Sequence, residues 1–134
     1  MAYSRKKSRE LVYRMLFAEG EFVDILELAT DEDEIPTGPE LEYIKNLYKA
    51  ANDNVAAIDE IIKAFLIGYT IDRISQSDKV ALRLGIAEMK YTETNAIVII
   101  GEVVNIVKKY GTAKSAGFVN GILAKVNEVG ACNL

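Results

Sequence analysis

The 134-residue sequence contains no histidine and no tryptophan, a single cysteine (Cys132) and only two prolines, Pro36 and Pro39. Without imidazole, acid–base catalysis would fall to carboxylates, lysines or tyrosines, and the acids here cluster in a loop and along solvated helix faces. One cysteine and no histidine exclude an intrachain disulfide and the usual zinc ligand sets. There is no G-x-G-x-x-G, Walker A or G-x-S-x-G pattern. Gly111-Thr112-Ala113-Lys114-Ser115 lacks the contiguous Gly-Lys-Ser/Thr of a phosphate loop, and Ser4-x-x-Lys7 is a chance match in a basic tail. No apolar run reaches the roughly 18 residues of a membrane span, and the basic N-terminus lacks the apolar segment of a signal peptide. The expectation is a non-enzymatic, cytoplasmic protein with no metal, no cofactor and no membrane association.

What the chain does have is uneven charge. The net is −4. Residues 1–17 hold five bases (Arg5, Lys6, Lys7, Arg9, Arg14) against Glu10, and residues 61–134 hold nine bases against six acids. Residues 18–60 hold thirteen acids against Lys45 and Lys49. Two basic ends flank an acidic middle, so a polyanion would meet a surface built from the ends, where local potential outweighs total charge.

Half of the residues are apolar, enough for one domain with a sizeable core and too few residues for two. Ser8 to Ala18 reads as a helix with Leu11, Val12, Met15 and Leu16 inward, and a short helix follows over Glu21 to Ala29. Thr30 to Pro39, with its acidic run and helix breakers, is a solvated loop. Leu41, Ile44, Tyr48, Ala51, Val55, Ile58, Ile62 and Phe65 recur at three and four residues with no Gly or Pro over 40–67, predicting one long amphipathic helix. Ser75-Gln76-Ser77-Asp78 offers a helix start with a capping pattern, continuing to about Tyr91. Within residues 96–107, Ala96-Ile97-Val98-Ile99-Ile100 and Val103-Val104 are rich in β-branched residues, and periodicity alone does not separate a buried strand from a buried helix. Their length, the closing Lys108-Lys109 and Gly111 as an αL cap favour the helix. A last helix runs from Ala113 or Ser115 to Val129. The fold class is therefore all-α: a compact bundle of six to seven helices in one domain, 1–134, divided into helical halves of about 1–70 and 71–134.

Several stretches together resemble the NusB family of bacterial transcription antitermination factors. They are the basic opening Arg5-Lys6-Lys7-Ser8-Arg9-Glu10 with Leu16-Phe17 later, then Ser77-Asp78-Lys79-Val80-Ala81-Leu82-Arg83-Leu84 with Glu88. Glu102, Lys108-Lys109-Tyr110-Gly111, Ser115 and Phe118-Val119-Asn120-Gly121-Ile122-Leu123 complete the set. The resemblance spans essentially the whole chain, and the last block carries most of it. It implies an all-helical fold in two small subdomains. It also implies binding of boxA-type single-stranded RNA as a heterodimer with the ribosomal protein NusE, inside an RNA polymerase antitermination complex acting on ribosomal RNA operons. The family includes monomers and homodimers, and a related domain occurs attached to RNA methyltransferases. The alternative reading is a divergent helical protein–protein interaction module with little RNA affinity of its own, its acidic middle facing a basic ribosomal protein.

The chain departs from the family where the usual Pro and Asn become Asn95 and Gly101, where an acid becomes Lys114, and where the lysine before Phe118 becomes Gly117. The resemblance implies an RNA-binding set of Arg5, Lys6, Arg9, Phe17, Asp78, Tyr110, Lys114 and Phe118. Arg5, Lys6 and Arg9 would contact phosphates, and the aromatics would stack on bases. Each also has a plainer reading: Phe17 and Phe118 as core, Asp78 as a helix N-terminal acid that complements the dipole, and Asn120-Gly121 as a close helix-packing site.

Overall fold

The computed structural model describes residues 4–18, 21–31, 35–68 and 70–133, so Glu32 to Glu34 of the expected acidic loop lie outside the described residues. Among the described residues there are seven α-helices and no strand: α1 Arg5–Met15, α2 Phe22–Ala29, α3 Gly38–Asp53, α4 Val55–Ala64, α5 Gln76–Tyr91, α6 Ala96–Tyr110 and α7 Ala113–Glu128. Short 3₁₀ turns cover Ile71–Arg73 and Ala131–Asn133. No described helix is long and apolar enough to cross a membrane.

Side-chain caps set most of the helix starts. Ser4 accepts from the Lys7 N–H, Ser75 from Asp78, Asn95 from Ile97 and Val98, and Thr112 from Ser115. Each such cap contributes about 1 kcal/mol by satisfying an otherwise open amide. Ser4 explains why α1 begins three residues before the expected Ser8. Asn95 caps the start of α6 through its side-chain oxygen. The β-branched segment 96–107 is thus a helix.

The expected single helix over 40–67 is two. It breaks at Asn54, whose backbone leaves the helical region (φ −118°, ψ 24°) and whose amide donates to the Ala50 carbonyl at 2.8 Å. Asn and Asp side chains compete for the backbone in this way, and Asn52-Asp53-Asn54 places three of them in a row. The seam survives the break, because Ile44, Tyr48, Ala51, Ile58 and Ile62 are all buried. Gly111 also differs from expectation. It is extended rather than left-handed (φ −126°, ψ −145°), and a Cβ there would sit 3.0 Å from the Val107 carbonyl oxygen.

The core is organised around α5, which packs against α1, α3, α4, α6 and α7. It buries Val80, Ala81, Leu82, Leu84, Ile86 and Ala87, each large aliphatic contributing about 1.5–3 kcal/mol. Gly85 lets α7 come close: a Cβ there would lie 2.9 Å from a Leu123 methyl. The close approach read into Gly121 is not made among the described residues, since a Cβ at Gly121 meets none of their atoms within 4 Å. The packing glycine belongs to α5, and Leu123 is its partner.

Candidate nucleic-acid interface

Helix α1 has two working faces. On one, Arg5, Ser8, Arg9 and Val12 turn toward α3 and α5. Arg9 is 2% exposed and donates to both carboxylate oxygens of Glu88 at 2.5 and 2.7 Å. The Tyr43 hydroxyl donates to the same carboxylate at 2.9 Å. Burial opposes the Arg9 charge, but hydrogen bonds to Glu88 and its charge outweigh that and raise the pKa. Tyr43 is pushed well up by burial and then by Glu88, so it remains a donor. Ser8 is fully buried and donates to Glu40 at 2.8 Å. Arg5, half exposed, reaches Glu40 at 3.2 Å and lies 3.7 Å from the centre of the Tyr43 ring. Arg9, expected on phosphate, is therefore committed to the core, and Arg5 is partly committed to Glu40.

The other face carries Lys6, Glu10, Tyr13 and Arg14 at helical spacing, and Phe17 continues it in the turn just past the helix. Lys6 is exposed. Phe17 is 45% exposed and meets Tyr13 edge-to-face at 5.2 Å between ring centres. Tyr13 in turn lies 5.5 Å from Tyr110, at the end of α6. Tyr110 is 43% exposed. Its hydroxyl donates to Glu10 at 2.6 Å, and Lys109 donates to the same oxygen at 2.5 Å. Burial raises the Glu10 pKa, but the hydrogen bonds from Lys109 and Tyr110 outweigh it and hold the carboxyl below its usual range. Burial and the Glu10 hydrogen bond raise Tyr110. The result is a line of three rings, two of them open to solvent, beside Lys109 and Arg14.

Tyr13 links this line to a second cluster. Its pKa is raised by burial and then by the charge of Asp78, and a Ser77 hydrogen bond opposes the rise. Asp78 lines a cavity of about 300 Å³ with Arg73, Lys114, Ser115 and Phe118. The cavity lies where the N-terminal turns of α5 and α7 come together. Among the described residues Asp78 Oδ1 is buried without a hydrogen-bond partner, and Arg73 and Lys114 line the same cavity as Asp78. Phe118 is half-buried against the core, so the core reading and the surface reading each describe part of its ring.

The structure thus brings Asp78, Lys114 and Phe118 together, joins Phe17 to Tyr110, leaves Lys6 on the aromatic face, and sets Arg5 and Arg9 apart. Sequence reasoning missed Tyr13, Glu10, Lys109, Arg14 and Arg73. The spacing of four between Tyr13 and Phe17, and between Glu10 and Arg14, was a usable signal for a shared helix face. Nothing in the sequence points to Arg73, which reaches the cavity from a 3₁₀ turn. No group of three or more metal-ligating side chains occurs among the described residues.

The sequence and fold have counterparts among known proteins. The model of the NusB family matches residues 6–128. A transcription antitermination protein NusB from Agathobacter rectalis is 35% identical over 128 residues, covering 91% of this chain and 98% of the relative. Its counterpart from Acidothermus cellulolyticus is 36% identical over 125 residues, covering 92% and 86%. Among solved structures, T. maritima NusB superposes with a TM-score of 0.85 at 29% identity, covering 96% of this chain and 93% of its own. A structure of the antitermination factors NusB and NusE in complex with double-stranded RNA gives 0.83 at 28% identity, covering 93% and 96%.

Proposed function

This chain belongs to the NusB family, and on that footing we propose that it is a transcription antitermination factor. It binds boxA-type single-stranded RNA together with the ribosomal protein NusE, in the complex that keeps RNA polymerase transcribing through ribosomal RNA operons. The names of its relatives support antitermination, and the complex of NusB and NusE with double-stranded RNA among its structural neighbours supports RNA and NusE as partners; the preference for a single strand rests on the exposed rings.

The observation that carries the RNA assignment is the Phe17–Tyr13–Tyr110 line, with two exposed rings and cations beside it. Exposed rings suit unpaired bases, whose faces are free to stack, at about 1–3 kcal/mol per base. In this reading Lys6, Arg14, Lys109 and Lys114 contact phosphates. Phe17 and Tyr110 stack on bases. Asp78 accepts from a base amine in the cavity beside Phe118, where Arg73 supplies a second cation. Arg9 acts from inside, fixing α1 against Glu88 so that its outer face meets the end of α6. Arg5 does the same more weakly through Glu40.

Fluorescence anisotropy with a single-stranded boxA-like RNA, with and without NusE and over a range of salt, tests this. Binding should weaken with salt by a slope of about 0.7 per phosphate contact and tighten with NusE. A duplex of the same sequence should bind less tightly, because its bases are not free to stack. Salt-insensitive or absent binding in both the presence and absence of NusE would overturn the assignment.

A further inference from the structure

A cavity of about 310 Å³ lies beside Phe17, where the ends of α1 and α3 meet the starts of α4 and α5. Leu16, Ala51, Val55 and Val80 give it apolar walls, and the Phe17 ring belongs to its lining. Ala51 and Val80 are buried, so the cavity reaches the core. Asn52, Gln76 and Arg83 are its polar members. The break at Asn54 falls between Asn52 and Val55, so the turn that ends α3 forms one side. Gln76, Val80 and Arg83 follow one face of α5 at spacings of four and three.

The chemistry of these groups narrows the occupant. Arg83 is the one charged residue of the lining. It donates to both carboxylate oxygens of Asp59, each at 2.8 Å. That bidentate pair meets its charge and fixes its plane, so it is not open to a second bidentate partner such as phosphate. No carboxylate or thiol lines the cavity, which leaves a metal ion without an anionic ligand. The contact between Phe17 and Tyr13 is edge-to-face and occupies at most one face of the Phe17 ring. Asn52 and Gln76 are exposed, and their amides can both donate and accept. Apolar walls, flat groups and a few amides suit an uncharged, planar ligand with a polar edge.

We propose that this cavity seats one unpaired base of the bound RNA and reads its edge through Asn52 and Gln76. The inference rests on the RNA-binding reading, because Phe17 belongs both to the cavity and to the aromatic line. A strand lying along Tyr110, Tyr13 and Phe17 therefore ends at the cavity. Single-stranded RNA is recognised by splaying bases out, stacking them on rings or guanidinium planes and bonding their edges. Stacking on the line tolerates any sequence, whereas amides beside the cavity discriminate between bases. The cavity is thus where a sequence preference arises.

The test uses the full chain and a boxA-like RNA in which each nucleotide in turn is made abasic. Ala18 also lines the cavity and is exposed, so Ala18→Leu narrows it without opening the core. Val55→Phe is a second filling variant, and thermal melting checks that both fold. At one position the abasic change should weaken binding to the parent about tenfold. In the filled variants the same change should cost nothing further, while Tyr110→Ala should leave its cost intact. Asn52→Ala with Gln76→Ala should reduce the preference among the four bases at that position. Salt slopes should match the parent throughout, since no phosphate contact is lost. RNA binding with no position coupled to the filled variants overturns this proposal and leaves the antitermination reading standing. A coupled position whose salt slope falls by about 0.7 overturns it in favour of a phosphate contact. Amide shifts at Leu16 and Val55 caused by NusE alone, and not by RNA, overturn it in favour of a protein side chain. A parent that binds no RNA at all, with or without NusE, sinks the antitermination reading and this proposal together.

Discussion

Arg9 and Arg14 lie on the same helix five residues apart, and their surroundings differ in every respect. Arg9 points inward, 2% exposed, with both carboxylate oxygens of Glu88 and the Tyr43 hydroxyl around it. Arg14 points outward, one turn from the Glu10 that holds Tyr110 and Lys109. The inner face of α1 uses charge to fix the helix, where the partners are fully desolvated and neither can be lost alone. The outer face uses charge and exposed rings in contact with water, where a polyanion can displace solvent. The same residue types serve both, so a basic opening is not by itself an RNA-binding element.

The comparison is broken most directly at Arg9. Arg9→Ala leaves Glu88 buried and unpaired, and should cost about 3–5 kcal/mol of stability in urea unfolding. Its salt slope for RNA, measured well below the transition and corrected for the folded fraction, should match the parent, because Arg9 touches no phosphate. Preserved stability with weakened RNA binding would move Arg9 to the outer face. Tyr110→Ala should do the reverse. Loss of one stacked base costs about 1–3 kcal/mol of RNA binding, with each 1.4 kcal/mol about tenfold in affinity, while thermal melting stays near the parent. A Phe17→Ala variant reads the other end of the same line.

Smaller effects sharpen the boundary. Lys6→Gln and Lys114→Gln should each lower the salt slope by about 0.7 and leave stability within about 0.5 kcal/mol. Arg5→Gln should change the slope less, because Glu40 already engages it. The smallest expected effect is a pH step. The Glu10 carboxyl is held below its usual range in the folded chain, so its contribution is present above the ordinary carboxylate pKa. That contribution is lost as pH falls through the folded value. The Tyr110 ring signals in a pH titration by NMR should follow that loss, and the step should be missing in Glu10→Gln.

The helices of this protein were legible because their signals are local. Three-and-four spacing marked the seam of α3 and α4, Ser75 marked the start of α5, and the closing lysines marked the end of α6. The break at Asn54 was written in Asn52-Asp53-Asn54 but was outvoted by an unbroken apolar pattern, since periodicity reports burial and not backbone continuity. The candidate site was legible in part. Phe17, Asp78, Tyr110, Lys114 and Phe118 gather around Tyr13 and the meeting of α5 with α7, whereas Arg9 does not join them.

The sequence by itself determined an all-helical chain, its charge asymmetry and its family, because caps, spacing and motif order need no partner beyond a few residues. Only the tertiary structure decided which basic residues of the opening are exposed and which are paired inside. That depends on Glu88 and Glu40, 79 and 35 residues away along the chain from Arg9 and Arg5. A guanidinium opposite a buried carboxylate becomes part of the core, and one left in water remains available to a polyanion. The difference lies in what packs against each face of α1, which no stretch of α1 alone contains.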